Sequence, residues 1–247
     1  MIEFMNYTDF THCRIDASTL YSPLDAVRLD TSTKEIFDYE TIKSFMFLRL
    51  MPLDKAIAQN IVAYPYGDFC ATVNMIVSTI FERDVEWRTL NIITAKVTND
   101  WLDTWGVTKE TLFSDALEAT RRYSIPRVEF DKLHNGDIEN ATVFVDDELY
   151  LAGAAVFLLP EVQDQVIATQ KGKNFFVCPA STTDFSIHTE ESIMAFGVED
   201  MMDIMYGSFP IMKEKGVSRY LYYYDVEDRI LKRYQGGSIQ KSHEIQA

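Results

Sequence analysis

Residues 219–234 read RYLYYYDVEDRILKRY, two β-rich runs flanking a short polar turn at Val226 to Asp228. Runs of this kind close into an antiparallel hairpin, because so short a connection cannot carry a parallel crossover. A second pair reads the same way. ATVFV at 141–145 and ELYLAGAAVFLLP at 148–160 flank Asp146 and Asp147, which would sit at a hairpin tip. Around these hairpins helical and strand-like segments interleave. The expectation is a single α+β domain, with helices packed on a mixed or antiparallel sheet, in preference to a doubly wound one.

The remaining segments fill in that frame. Ile42, Phe45, Met46, Arg49 and Leu50 approximate helical spacing from about Asp38, and Pro52 ends the run. DKAIAQNI at 54–61 adds a helical turn. Pro65 is placed to open a longer apolar helix through Phe69, Val73, Ile76, Val77 and Ile80. TLNIITAKV at 89–97 is β-branched and reads as a strand. Thr98 or Asn99 caps the short helix DWLDTW, with Gly106 closing it, and Thr108 caps a further helix to about Arg122. Pro126 to Phe130 is a strand, and HNGD at 134–137 is a turn. Pro160 opens a helix closed by Gly172, FFVC at 175–178 is a buried strand, FSI at 185–187 a short one, and EDMMDIMYGSF at 199–209 a helix. Residues 1–34 read as an arm or edge hairpin, 35–235 as the globular domain, and 236–247 as a polar, frayed tail.

Composition narrows the class. Of 247 residues 47% are hydrophobic and 13% aromatic, with only 10 Gly and 7 Pro, which suits one large core without long linkers. No apolar run of eighteen residues offers a membrane span, and the first residues lack the pattern of a signal peptide. Cys13, Cys70 and Cys178 are odd in number and widely spaced, as expected of unpaired thiols in the cytoplasm. Thirty-eight acids against 23 bases give a net charge of −15. Residues 201–247 hold six acids and seven bases, so the first 200, with 32 acids and 16 bases, carry the whole excess. Such a field repels phosphates and attracts basic protein surfaces, so direct nucleic-acid binding is disfavoured.

Several groups of residues could carry chemistry. Ser181, Asp184 and His188 follow the FFVC strand and could serve as nucleophile, acid and base, although no G-x-S-x-G elbow surrounds the serine. A Cys178–His188 dyad competes with the simpler reading of Cys178 as core packing. Asp146, Asp147 and Glu148, with Asp137 and Glu139 near them, are the densest acidic patch and could contact a cation or a basic partner. Tyr220, Tyr222 and Tyr224 share one strand face, which reads as a partly exposed aromatic contact row. Met194, Met201, Met202, Met205 and Met212 read as packing, with a partner groove as the alternative. His12, His134 and His243 show no metal-ligand spacing, and no phosphate-cradling glycine loop occurs, so neither metal nor cofactor is expected.

PYGDF at 65–69, WLDTWGVTKETLF at 101–113, LAGAAVFLLP at 151–160, CPAS at 178–181 and YLYYYD at 220–225 together resemble an uncharacterised family of bacterial and phage proteins, a domain of unknown function. The resemblance spans about 35–233 and leaves a divergent N-terminus. It implies one domain and a phage or mobile-element setting, but no activity. Members of that family carry a second serine after the proline and then a histidine followed by glutamate. Here the matching positions are Ala180, Ser181, Thr183 and Asp184, and His188 lies further on. The leading expectation is therefore a non-enzymatic acidic binding protein that engages a basic surface on a protein partner, for instance as an inhibitor of a host defence effector. A hydrolase using Ser181, Asp184 and His188 is the alternative. A self-assembling protein, joined through the N-terminal arm or the Tyr strand, is the third reading.

Overall fold

The computed structural model describes residues 37–83, 88–130, 142–148, 151–197, 216–235 and 238–239. The expected N-terminal arm, the HNGD turn, the methionine-rich helix at 199–209 and most of the tail lie outside them. The chain enters through α1 (Tyr39–Ile42), a 3-10 turn at Lys43–Phe45, and β1 (Met46–Pro52). α2 (Leu53–Ala58), β2 (Ala63–Tyr66), β3 (Phe69–Arg83) and β4 (Arg88–Lys96) follow.

Of two helices expected here, the first forms only over Tyr39–Phe45 before the chain extends into a strand, and the second is replaced by strands. Helical spacing at 42–50 gives way to β1, and the apolar helix from Pro65 gives way to β2 and β3. The reason is burial on both faces. Leu48 and Leu50 enter the main core, while Met51 on the other face packs with Ala56, Ile61 and Cys70. A strand covered on both sides loses its polar alternation and looks like a buried helix in sequence. Pro65 is tolerated in β2 because a strand at a sheet edge can do without one ladder donor.

The next elements follow the sequence closely. α3 (Asn99–Trp105) ends at Gly106, which takes the left-handed conformation at φ 67°. α4 (Lys109–Tyr123) starts at Thr108, whose hydroxyl accepts from the Thr111 amide at 3.2 Å. β5 (Pro126–Phe130) and β6 (Val143–Asp147) pair antiparallel.

The expected return strand after Asp147 does not form. Residues Gly153–Leu158 make a 3-10 helix buried in the core, and β6 pairs with β5 and β8 instead. Small residues explain the difference: Ala152, Ala154 and Ala155 are fully enclosed, and Gly153 sits at φ 55° against the Thr182 carbonyl, where no side chain fits.

α5 (Pro160–Thr169), β7 (Phe175–Cys178) and β8 (Asp184–His188) appear as expected. α6 (Glu190–Phe196), capped by the Thr189 hydroxyl on the Ser192 amide, is an additional helix. β9 (Tyr222–Asp225) and β10 (Ile230–Gln235) close the expected C-terminal hairpin, with Leu231 opposite Tyr224. In the tail, β11 (Ser238–Ile239) pairs with β10.

These strands form two antiparallel sheets in one α+β domain. In the first, β3 is central, with β1 along one edge and β2 then β4 along the other. The second runs β11-β10-β9-β7-β8-β6-β5. A single core joins both sheets, α4 and the buried 3-10 helix, through Leu48, Phe69, Val73, Leu112, Val145, Phe157, Phe175, Phe185 and Tyr224. Phe157 meets Phe175, Phe185 and Tyr224 edge-on or tilted at 5.6–6.5 Å. Each such pair adds about 0.5–1.5 kcal/mol beyond area burial.

Candidate functional site

Ser181, Asp184 and His188 are not brought together. The Ser181 hydroxyl accepts from the Thr183 amide at 3.0 Å and shares a 2.6 Å hydrogen bond with the Thr183 hydroxyl, which donates to Asp184 at 2.7 Å. These contacts build the turn into β8. His188 ends the same strand, and four extended steps of roughly 3.3 Å place it about 13 Å from Asp184. Its Nε2 lies 3.1 Å from the Ser186 hydroxyl and its Nδ1 3.5 Å from that of Thr142. Burial pushes the imidazole down to about 4, so it is neutral near pH 7. Ser186 is itself enclosed, at 1% exposure, so the serine that does face the histidine is closed to a substrate.

Cys178 is opposite Ser186 in the β7–β8 ladder and Phe176 is opposite His188. All four therefore share one sheet face. Cys178 packs there with Phe176, Ala180, Ile193, Leu221 and Tyr223, as a core thiol does.

The acidic tip divides by side. Asp147 points into the core and is 0% exposed; its carboxylate accepts the Ile125 amide at 2.9 Å and the Ala152 amide at 3.0 Å. It ties β6 to the chain before β5 and to the turn entering the buried 3-10 helix, so it is not a contact residue. Asp146, on the opposite face, is clamped by Arg127 through two bonds of 2.8 and 2.6 Å. Among these three, Glu148 is left exposed.

The tyrosine row is likewise mostly interior. Tyr222 and Tyr224 are 0% and 1% exposed, because β9 lies between β7 and β10 with its row directed into the main core. Tyr224 stacks on Phe175 at 4.8 Å, and burial pushes its phenol up to about 12. Tyr222 donates to Asp68 at 2.5 Å, where the Ser218 hydroxyl also donates at 2.6 Å. Burial first, and the Asp68 carboxylate second, raise the Tyr222 phenol pKa. This junction pins the β2–β3 turn of one sheet onto β9 of the other. Tyr220 alone stays exposed, with the Arg233 guanidinium 3.2 Å over its ring. Met194, expected to pack, is 77% exposed on α6.

A different surface gathers groups suited to recognition. Trp101 and Trp105, one turn apart on α3, stack at 4.8 Å with planes 29° apart. Phe37 lies 5.5 Å from Trp101 and Tyr39 5.6 Å from Trp105, giving a row of four rings in the order Phe37, Trp101, Trp105, Tyr39. Phe37 is 50% exposed and both tryptophans are partly exposed. Asp38 and Glu40 beside Tyr39 in sequence, and Asp100 and Asp103 on α3, are exposed carboxylates, with Asp103 on the helix face opposite the two tryptophans. At the Tyr39 end of the row Lys43 bonds Glu40 at 2.7 Å with its ammonium 5.9 Å over the Tyr39 ring. The hydrogen bond to Glu40 is the main reason its pKa rises. Tyr39 anchors the row to α4 by donating to Asp115 at 2.8 Å.

The sequence carries half of this signal, in the alternation of Asp and Trp within NDWLDTW. Phe37 and Tyr39, some sixty residues away, join only through tertiary packing. Among the described residues no three His, Cys, Asp or Glu side chains converge as a metal site requires, and no helix is long and apolar enough to cross a membrane.

In comparison with known proteins, no family model, no curated protein and no solved structure matches the chain. The functional reading therefore rests on this chain's own residues.

Proposed function

We propose that the protein is a non-catalytic binding protein that docks an acidic surface onto a basic site of a protein partner. The observation that carries this reading is the α1–α3 face. It presents the partly exposed rings of Phe37, Trp101 and Trp105, continuous with the buried Tyr39, on segments that also carry the exposed carboxylates of Asp38, Glu40, Asp100 and Asp103, with Lys43 already committed to Glu40. Aromatic area supplies contact energy and the carboxylates supply steering and orientation, a pairing typical of recognition surfaces. The overall charge of −15 extends the same attraction over longer range. A basic groove built for nucleic acid is the kind of site such a surface would occlude, which would make the protein an inhibitor of the effector that owns it.

The test is capture of partners by the immobilised full chain across a salt series, comparing wild type with the double substitution Asp100→Asn and Asp103→Asn. Capture should weaken steeply as the Debye length shrinks from about 10 Å at 0.1 M salt to about 3 Å at 1 M. It should also weaken in the neutralised variant. A partner retained equally at all salt concentrations and by both proteins would remove the electrostatic docking reading.

A further inference from the structure

We infer that the outer edge of β5 pairs antiparallel with β5 of a second copy of this chain, centred on Val128, so that the seven-stranded sheet continues across a two-fold axis. This goes beyond the docking reading and uses a different surface. β5 ends the sheet and, among the described residues, pairs with β6 alone. By contrast the edge of β1 is met by α4, where the Leu48 amide donates to the Thr120 hydroxyl at 2.8 Å, and the end of β10 is met by β11.

The hydrogen-bonding phase of β5 follows from its pairing. The Glu148 amide donates to the Ile125 carbonyl at 3.0 Å, which makes Ile125 and Glu148 a hydrogen-bonded pair. Such pairs recur at every second residue, so Arg127 and Glu129 turn their backbone groups towards Asp146 and Phe144 of β6. The backbone groups of Pro126, Val128 and Phe130 therefore point away from the sheet. A row of this kind is a template for another strand.

The order of residues suits one partner in one register. With Val128 opposite Val128 of the second copy, Arg127 falls opposite Glu129 and Glu129 opposite Arg127, so both cross-strand pairs join opposite charges. Moving the centre by one residue sets Arg127 against Arg127, or Glu129 against Glu129. Pro126 falls opposite Phe130, where its carbonyl accepts the Phe130 amide and only its own missing N–H goes unused. Proline and charged residues ordinarily blunt an edge against stray pairing; here the alternation Arg-Val-Glu restricts pairing to a copy in this register. The strand is already held extended. Val128 packs against the main core, and Arg127 is fixed to Asp146 by bonds of 2.8 and 2.6 Å.

The experiment reads self-association of the full chain by sedimentation at 0.15 M salt, where a Debye length of about 8 Å limits the repulsion between two chains of charge −15. A dimer should form with a Kd on the order of 0.1 mM, as suits a small edge interface. Hydrogen exchange resolved by residue should show the Val128 and Phe130 amides gaining protection as concentration rises, while those of Arg127 and Glu129 are protected throughout. Glu129→Arg, at an exposed position, should weaken dimerisation about tenfold or more by setting like charges opposite each other. Val128→Pro removes the central amide and should leave only monomer; if that variant does not fold, Glu129→Arg and the exchange pattern decide the matter. A chain that stays monomeric up to about 1 mM overturns the pairing. So does a dimer that leaves exchange at Val128 and Phe130 unchanged, or one that Glu129→Arg does not weaken. Each of these failures leaves salt-sensitive capture through the α1–α3 face standing.

Discussion

Replacing Asp147 by Ala separates a structural carboxylate from a contact carboxylate at the acidic tip. Asp147 is fully enclosed and accepts two backbone amides, those of Ile125 and Ala152. Alanine leaves both N–H groups without that partner in a site that water does not reach. A buried donor orphaned in this way costs about 1–3 kcal/mol, and bonds to a charged acceptor lie at the upper end. Two such donors give roughly 3–5 kcal/mol, a large share of a typical domain stability of about 5–15 kcal/mol. For a domain of this size about 2–4 °C of melting temperature corresponds to each kcal/mol, so the expected drop is roughly 6–20 °C. Urea unfolding should show a lower midpoint with an unchanged slope. Glu148→Gln, one residue away but exposed, should stay within about 0.5 kcal/mol of wild type. If Asp147→Ala melts with wild type, or if Glu148→Gln destabilises equally, the division of the tip into an inward and an outward carboxylate is wrong.

Two further outcomes follow from buried groups. His188 has its pKa depressed from 6.5 to about 4 by burial, so between those values the unfolded chain binds a proton that the folded chain refuses. The stability associated with the neutral imidazole is therefore present above pH 6.5 and is lost as pH falls towards 4, by up to about 3 kcal/mol. His188→Gln should remove that component, and a difference between wild type and variant that stays constant from pH 7 to pH 4.5 would refute it. Gly67 and Gly106 both sit at positive φ, 74° and 67°, but a Cβ at Gly67 would strike the Tyr222 hydroxyl whereas one at Gly106 meets nothing. Gly106→Ala should cost about 1 kcal/mol for the backbone alone, and Gly67→Ala about 1–3 kcal/mol more from disturbing the Tyr222–Asp68 junction. Equal melting temperatures for the two would contradict that junction's role.

Much of the fold is legible in the chain because its signals are local. Gly106 and Thr108 mark the end of α3 and the start of α4, Pro160 marks the first turn of α5, and the C-terminal hairpin follows from alternation about a short polar turn. These depend on backbone geometry over a few residues, so the amino acids alone suffice. The sequence by itself also determined the acidic charge and the α+β class, with the sheet left as mixed or antiparallel. Tertiary structure decided what burial erases or distance separates. Enclosure on both faces made β1 and β3 look helical, and close packing of small residues made Gly153–Leu158 a 3-10 helix within the core where a strand was expected. Neighbouring strands settled which of Asp146, Asp147, Tyr222 and Tyr224 meet solvent. Ser181 and His188 lie close in sequence, but an extended strand holds them apart, whereas packing brings Phe37 and Tyr39 from a distant segment onto Trp101 and Trp105. Propensity acts along the chain and exposure acts across it, which is why many elements could be read in advance and the grouping of Phe37 and Tyr39 with the two tryptophans could not.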